Sequence, residues 1–160
     1  MPGINYHEIN QMFQVYAICT LIIFLKYLFC QFYGANKSNH PLEDKMGDVL
    51  PANIKRRERN FANDMENIPF DFVIFWAAFI LQRDAIMSRN GGSETLAVTA
   101  LIVIYTGSRI LFTVFYLCAM QPYRSLAFAL GRLTVAITAF VMISSAFKVN
   151  FRVILNGSFD

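Results

Sequence analysis

Between Arg56 and Phe70, charged and amide side chains crowd the start of a long apolar segment. Arg59, Asn63 and Glu66 follow one another at spacings of four and three, so a helix carries all three on one face, read here as inward-facing. Polar groups at the mouth of a membrane helix are costly unless they bind something or one another. A cation, a neutral amide and an anion on one stripe suit a small zwitterionic ligand with additional carboxylates. A second cluster is Gln121-Pro122-Tyr123-Arg124-Ser125. There Pro122 stops one helix, and Arg124 and Ser125 fall in the first turn of the next. An arginine beside a hydroxyl and free backbone N–H groups can hold an anion or a developing negative charge. A plain helix start with a snorkelling arginine accounts for the same residues. A third cluster is the helical face of Tyr105, Arg109 and Tyr116. Arg109 stays protonated and must meet an anion, whether a ligand or a carboxylate such as Glu66 or Asp71.

These side chains need elements to hold them. The chain has 160 residues, 56% of them hydrophobic and only 16% charged, against about 25% charged in soluble domains. The apolar residues arrive in long blocks, giving four expected spans at about 11–33, 61–81, 95–120 and 125–147. Each has about 20 residues or more, enough to cross about 30 Å of hydrocarbon. The expectation is an all-α integral membrane four-helix bundle, a single membrane domain over residues 1–160. The second span is the weakest by hydropathy, because Asp64, Glu66, Asn67, Pro69 and Asp71 interrupt it. Within the spans, Lys26 is read as snorkelling to the interface; Arg132 is compatible with an ion pair or a subunit contact. Cys19, Cys30 and Cys118 lie in or beside apolar blocks without paired or metal-ligand spacing, and are read as buried free thiols. No metal site is expected. The formal charge of +3 is too small and too localised for a nucleic-acid partner.

Charge also sets orientation. The first and third loops and their flanks carry seven Lys and Arg residues, against four in the second loop and the tail. The positive-inside bias places the first and third loops, and with them Arg59 and Arg124, on the cytosolic side.

The pattern Arg59-x3-Asn63-Asp64-x-Glu66-Asn67-x-Pro69-Phe70 resembles the second-helix signature of the MAPEG family, membrane-associated proteins of eicosanoid and glutathione metabolism. Arg109-x6-Tyr116 and Pro122-x-Arg124-Ser125 are similar to its third and fourth helices, and His40-Pro41-Leu42-Glu43-Asp44 to its Asn-Pro-Glu-Asp loop. The likeness covers about residues 11–147, nearest to the branch of microsomal glutathione transferase and microsomal prostaglandin E synthase. It implies a homotrimer in the endoplasmic reticulum or mitochondrial outer membrane, with glutathione at subunit interfaces open to the cytosol. Carried over residue by residue, Lys37, Arg59, Asn63, Glu66, Arg109 and Tyr116 would hold glutathione. Arg124 would stand nearest the thiol, with Ser125 beside it and Asp44 as a loop carboxylate interacting with that arginine. Phe61 stands where the family usually has histidine, and Ala62, Phe112 and Phe128 stand where the prostaglandin branch has arginine, histidine and tyrosine.

The resulting expectation is a membrane-bound glutathione transferase or peroxidase that turns the glutathione thiol on hydrophobic electrophiles or lipid hydroperoxides drawn from the bilayer, a detoxifying chemistry. A glutathione-dependent prostaglandin E synthase and a non-catalytic lipid-binding scaffold of the same fold are the alternatives.

Overall fold

The computed structural model describes residues 6–34, 52–87 and 94–156, and all its regular elements are α-helices. They are α1 (Tyr6–Gly34), α2 (Ala52–Met87), α3 (Thr95–Leu117) and α4 (Gln121–Asn156). Lys37, the His40–Asp44 motif with Asp44, and the Asn90-Gly91-Gly92-Ser93 turn lie outside the described residues. Helix α2 begins at Ala52, well before residue 61. The Lys, Arg and Glu residues that interrupt the apolar pattern there are strong helix formers, and no Pro or Gly intervenes between Ala52 and Ile68. Charge moves the expected membrane boundary without ending the helix.

Helices α1, α3 and α4 are long and apolar enough to cross a membrane; α2 is not counted with them. Its composition explains why, since charged and amide residues interrupt the apolar run, and its burial pattern shows where they go. Its inner face carries Asn60, Asp64, Asp71 and Gln82 among apolar side chains, while Met65, Phe70, Val73 and Ile80 face outward. Phe70 is 73% exposed and Asp64 0%, an inversion of the order found in water-soluble helices. In hydrocarbon this arrangement is favourable, because the outer surface meets acyl chains and the polar groups meet one another. Exposed Leu21, Leu96, Leu126 and Phe140 extend the apolar exterior over the other three helices. The chain is therefore an all-α integral membrane protein.

Helices α2 and α3 pack together at the centre, each also packing on α1 and α4. The apolar core joins Met12, Tyr16 and Cys19 of α1 to Phe75, Ala78 and Phe79 of α2 and to Val98, Ile102 and Tyr105 of α3. Tyr16 meets Phe79 with ring centroids 5.2 Å apart and Trp76 at 5.7 Å, in tilted and edge-on geometries that favour aromatic pairs. The α3–α4 contact depends on a small residue. A Cβ at Gly131 would fall 2.9 Å from the Ser108 hydroxyl oxygen, and that hydroxyl is already held by the Tyr105 carbonyl at 2.7 Å. Small residues at such crossings let membrane helices approach closely. Of the three thiols, Cys19 and Cys30 are buried, but Cys118 is exposed; it follows the last residue of α3, where the chain leaves the packed interface.

Candidate functional site

The interior of the bundle changes character toward the end where α2 starts. Asp71 of α2 lies almost fully buried between two arginines of different helices. Its Oδ2 accepts hydrogen bonds from Arg109 Nη2 at 3.0 Å, from the Tyr105 hydroxyl at 2.7 Å and from Arg132 Nη2. Arg109 is 1% exposed and donates twice more: Nε to the Tyr105 hydroxyl at 3.3 Å and Nη1 to Asn63 Oδ1 at 3.2 Å. The Phe128 ring lies beside both guanidiniums, its centroid 5.7 Å from that of Arg109 and 5.6 Å from that of Arg132. About two turns of α2 earlier, Lys26 Nζ meets Asp64 Oδ2 at 2.6 Å with both side chains buried. Lys26 therefore does not snorkel. Desolvating an ammonium is tolerable where a carboxylate of a neighbouring helix neutralises it, and Asp64 supplies one. Arg132, open between two readings in the sequence, is an ion-pair member.

Beyond this layer lies a basic recess at the end of the bundle. A cavity of about 310 Å³ is bordered by Lys55, Arg56 and Arg59 of α2 and by Tyr116, Gln121 and Arg124 around the α3–α4 turn. A second hollow of about 250 Å³ shares Tyr116 and Arg124 with the first and adds Asn63, Ser125, Phe112 and Phe128. Helix α2 delivers the first set because Lys55, Arg59 and Asn63 recur every four residues on one flank.

The α3–α4 turn delivers the second set, and its backbone explains how. Helix α3 ends at Leu117, and Met120 N–H bonds the Phe115 carbonyl at 2.9 Å. Ala119 takes φ 61°, the left-handed conformation that such a helix end requires. Glycine is the usual residue there, so Ala119 holds a strained conformation that costs about 1–2 kcal/mol. The reversal is tight enough for α4 to start at Gln121, with Arg124 N–H bonding the Met120 carbonyl at 3.1 Å. It sets the Arg124 guanidinium 4.7 Å from the Tyr116 ring centroid and Nη2 3.0 Å from Gln121 Oε1. Among the described residues, no ion pair joins Lys55, Arg56, Arg59 or Arg124 to a carboxylate. A half-open hollow with several unneutralised cations, one at a helix start, suits a ligand with more than one negative charge.

The structure brings five of the expected site residues together: Arg59, Asn63, Tyr116, Arg124 and Ser125. Glu66 is exposed on the α2 flank and borders neither hollow. Arg109 lies behind the wall and reaches the site through its bond to Asn63. The stripe Arg59–Asn63–Glu66 runs along the side of the bundle, while Asn60, Asp64 and Asp71 take the inward face. Lys55 borders the recess without having been singled out, and Arg56 and Gln121, named only as members of the two polar clusters, border it too. Lys55 stands one helical turn before Arg59, and that spacing was the available signal.

The MAPEG family model matches residues 13–144. The chain belongs to the MAPEG family. That span takes in every described recess and ion-pair residue named above. No individual curated protein and no solved structure gave a match. Membership ties this MAPEG protein to glutathione-related or eicosanoid metabolism in a membrane, the chemistry against which the recess has to be read.

Proposed function

We propose that this MAPEG protein is a glutathione transferase, with peroxidase activity toward lipid hydroperoxides, and that glutathione occupies the basic recess. The observation that carries this reading is that Arg59 and Arg124, neither ion-paired among the described residues, border one hollow, and that Arg124 and Tyr116 are shared with a second hollow that presents Asn63. The two glutathione carboxylates match Lys55, Arg56 and Arg59, and Asn63 offers an amide to its polar backbone. Glu66, exposed on the same flank of α2, suits the α-amine. Arg124 lies where α4 begins, with Ser125 beside it. A guanidinium and the first amides of a helix favour thiolate over thiol, and the thiolate is the nucleophile.

The reaction then has two steps. The thiol proton passes to solvent as Arg124 and the helix start stabilise the sulfur anion. The sulfur attacks the electrophilic carbon of a lipophilic substrate, a carbon–sulfur bond forms and the leaving group departs. With a hydroperoxide the sulfur attacks the terminal oxygen instead. The lipid alkoxide leaves and takes a proton from solvent to become the alcohol, and the thiol of a second glutathione attacks the sulfenic acid sulfur, giving glutathione disulfide and water. Arg109 serves as a positioning residue by fixing Asn63. Lys37 and Asp44 would complete the site from the α1–α2 connection.

The exposed flank of Arg59 and Glu66 is open to completion by a neighbouring subunit, which agrees with a homotrimer. The basic end faces the cytosol in this reading, with the protein in the endoplasmic reticulum membrane. The test is conjugation of glutathione to 1-chloro-2,4-dinitrobenzene by the purified protein, which Arg124→Ala should reduce by about 10²–10³-fold. Glutathione binding without turnover would favour the scaffold reading, and absence of binding would refute the proposal.

A further inference from the structure

The buried polar layer holds more positive than negative charge. Lys26, Arg109 and Arg132 face two carboxylates, Asp64 and Asp71, which leaves a net charge of +1 at membrane depth. Lys26 and Asp64 neutralise one another, so the surplus falls on the cluster around Asp71. Arg132 is the open member of that cluster. Its side chain is 35% exposed, against 2% for Arg109. Among the described residues, Asp71 is the one hydrogen-bond partner of its guanidinium, through Nη2. This cation adjoins the smaller hollow, because the Phe128 ring walls that hollow and has its centroid 5.6 Å from the Arg132 guanidinium. The seam between α2 and α4 joins the two places. Asn63 to Asp71 and Arg124 to Arg132 are eight residues each, so both helices advance about 12 Å from the hollow to the ion pair.

An uncompensated guanidinium in hydrocarbon is costly, and a ligand that brings a negative charge to it relieves that cost. Phe70 and Leu133, next in sequence to Asp71 and Arg132, are exposed, so the charge has to arrive on an apolar body. A phospholipid headgroup stays in the interfacial layer. A fatty acid can enter neutral and ionise against the arginine, since a nearby cation favours the charged carboxylate. We propose that the α2–α4 seam binds a long-chain fatty acid, its carboxylate on Arg132 and its chain running past Phe128 into the smaller hollow. An extended chain advances about 1.2 Å per bond, so a group about ten bonds from the carboxylate reaches Arg124. Arg132 is then a specificity-determining residue that selects lipid hydroperoxides with a free carboxylate and a peroxide near mid-chain. That selection rests on the glutathione reading; the carboxylate site does not.

The test displaces radiolabelled linoleate from the full-length protein in nanodiscs of neutral phosphatidylcholine, without glutathione, using linoleate or methyl linoleate. Linoleate should bind about tenfold more tightly than the ester, the difference made by one hydrogen bond between charged groups. Arg132→Gln should abolish that preference, and Arg132→Lys, which keeps the charge, should retain most of it. With glutathione present, linoleic acid hydroperoxide should show a KM about tenfold below that of its methyl ester in the parent protein, and the two values should converge in Arg132→Gln. Equal binding of acid and ester by the parent, a preference that survives in Arg132→Gln, or one lost as completely in Arg132→Lys would overturn the carboxylate site. Smaller oligomers of Arg132→Gln without acid preference in the parent would also overturn it, because the arginine would then face a carboxylate of a neighbouring copy. Equal KM values in the parent would overturn the selection among hydroperoxides. Conjugation of 1-chloro-2,4-dinitrobenzene by the same parent samples keeps the two proposals apart: its absence refutes the transferase reading and leaves the linoleate preference standing.

Discussion

Arg109 and Arg124 lie one on each side of the α3–α4 turn, and their surroundings differ in every respect that matters. Arg109 is 1% exposed, bonded to Asp71, Asn63 and Tyr105, and flanked by Phe128. Arg124 is half-buried against the Tyr116 ring, with the Gln121 amide oxygen as its polar partner and a hollow in front of it. The first is a charge spent on holding helices together. The second has no carboxylate partner among the described residues. A cation's presence in a membrane bundle therefore says little about ligand binding until its partners are known, and here the buried carboxylates Asp64 and Asp71 decide which cations are already engaged.

The sharpest way to break this contrast is Asp71→Ala, which strands two guanidiniums inside the bundle. It should cost about 3–5 kcal/mol, the range for removing one partner of a buried pair, and appear as loss of the folded protein at lower temperature in detergent. Arg124→Ala should act in the opposite sense. Thermal unfolding should be nearly unchanged, while conjugating activity falls by about 10²–10³-fold, because a donor to a developing charge is lost. If Arg124→Ala unfolded the protein as Asp71→Ala does, the division between structural and binding arginines would fail.

Two smaller effects probe the frame that holds the arginines apart. Gly131→Val pushes a branched side chain into Ser108 and should destabilise the α3–α4 pair by about 1–3 kcal/mol, the usual cost of overpacking. Ala119→Gly relieves the left-handed residue in the turn and should raise stability by about 1 kcal/mol. The same substitution loosens the reversal that aims Arg124 at Tyr116, so a modest fall in activity should accompany the higher unfolding temperature.

Much of this was legible in the sequence, and the remainder was hidden for identifiable reasons. Helices α1, α3 and α4 announce themselves by apolar length. Helix α2 is recoverable through its polar motif, although averaged hydropathy misses it because its charged and amide residues lower the mean whichever face they take. The sequence could not say which polar stripe of α2 faces inward. Arg59–Asn63–Glu66 and Asn60–Asp64–Asp71 are both helically spaced, and their rows stand about 100° apart, one residue's rotation. Packing against Lys26, Arg109 and Arg132 selects the second. The partner of Lys26 lies 38 residues away, beyond anything local pattern can reveal. The turn at Ala119 lacks the glycine that usually marks a left-handed helix end, so the close approach of Tyr116 and Arg124 carries no sequence signature. The recess could be anticipated only as charge density, its shape depending on that turn.

The central claim is that Arg124 stabilises a glutathione thiolate in the basic recess. It is tested most directly by titrating the thiolate absorbance of protein-bound glutathione in the parent protein and in Arg124→Ala. The account predicts that glutathione bound to the parent ionises at a lower pH than free glutathione, and that Arg124→Ala moves the titration back toward the free value while the fold persists. Titration of bound glutathione at the free value in the parent protein, or an unchanged curve in the variant, would contradict it.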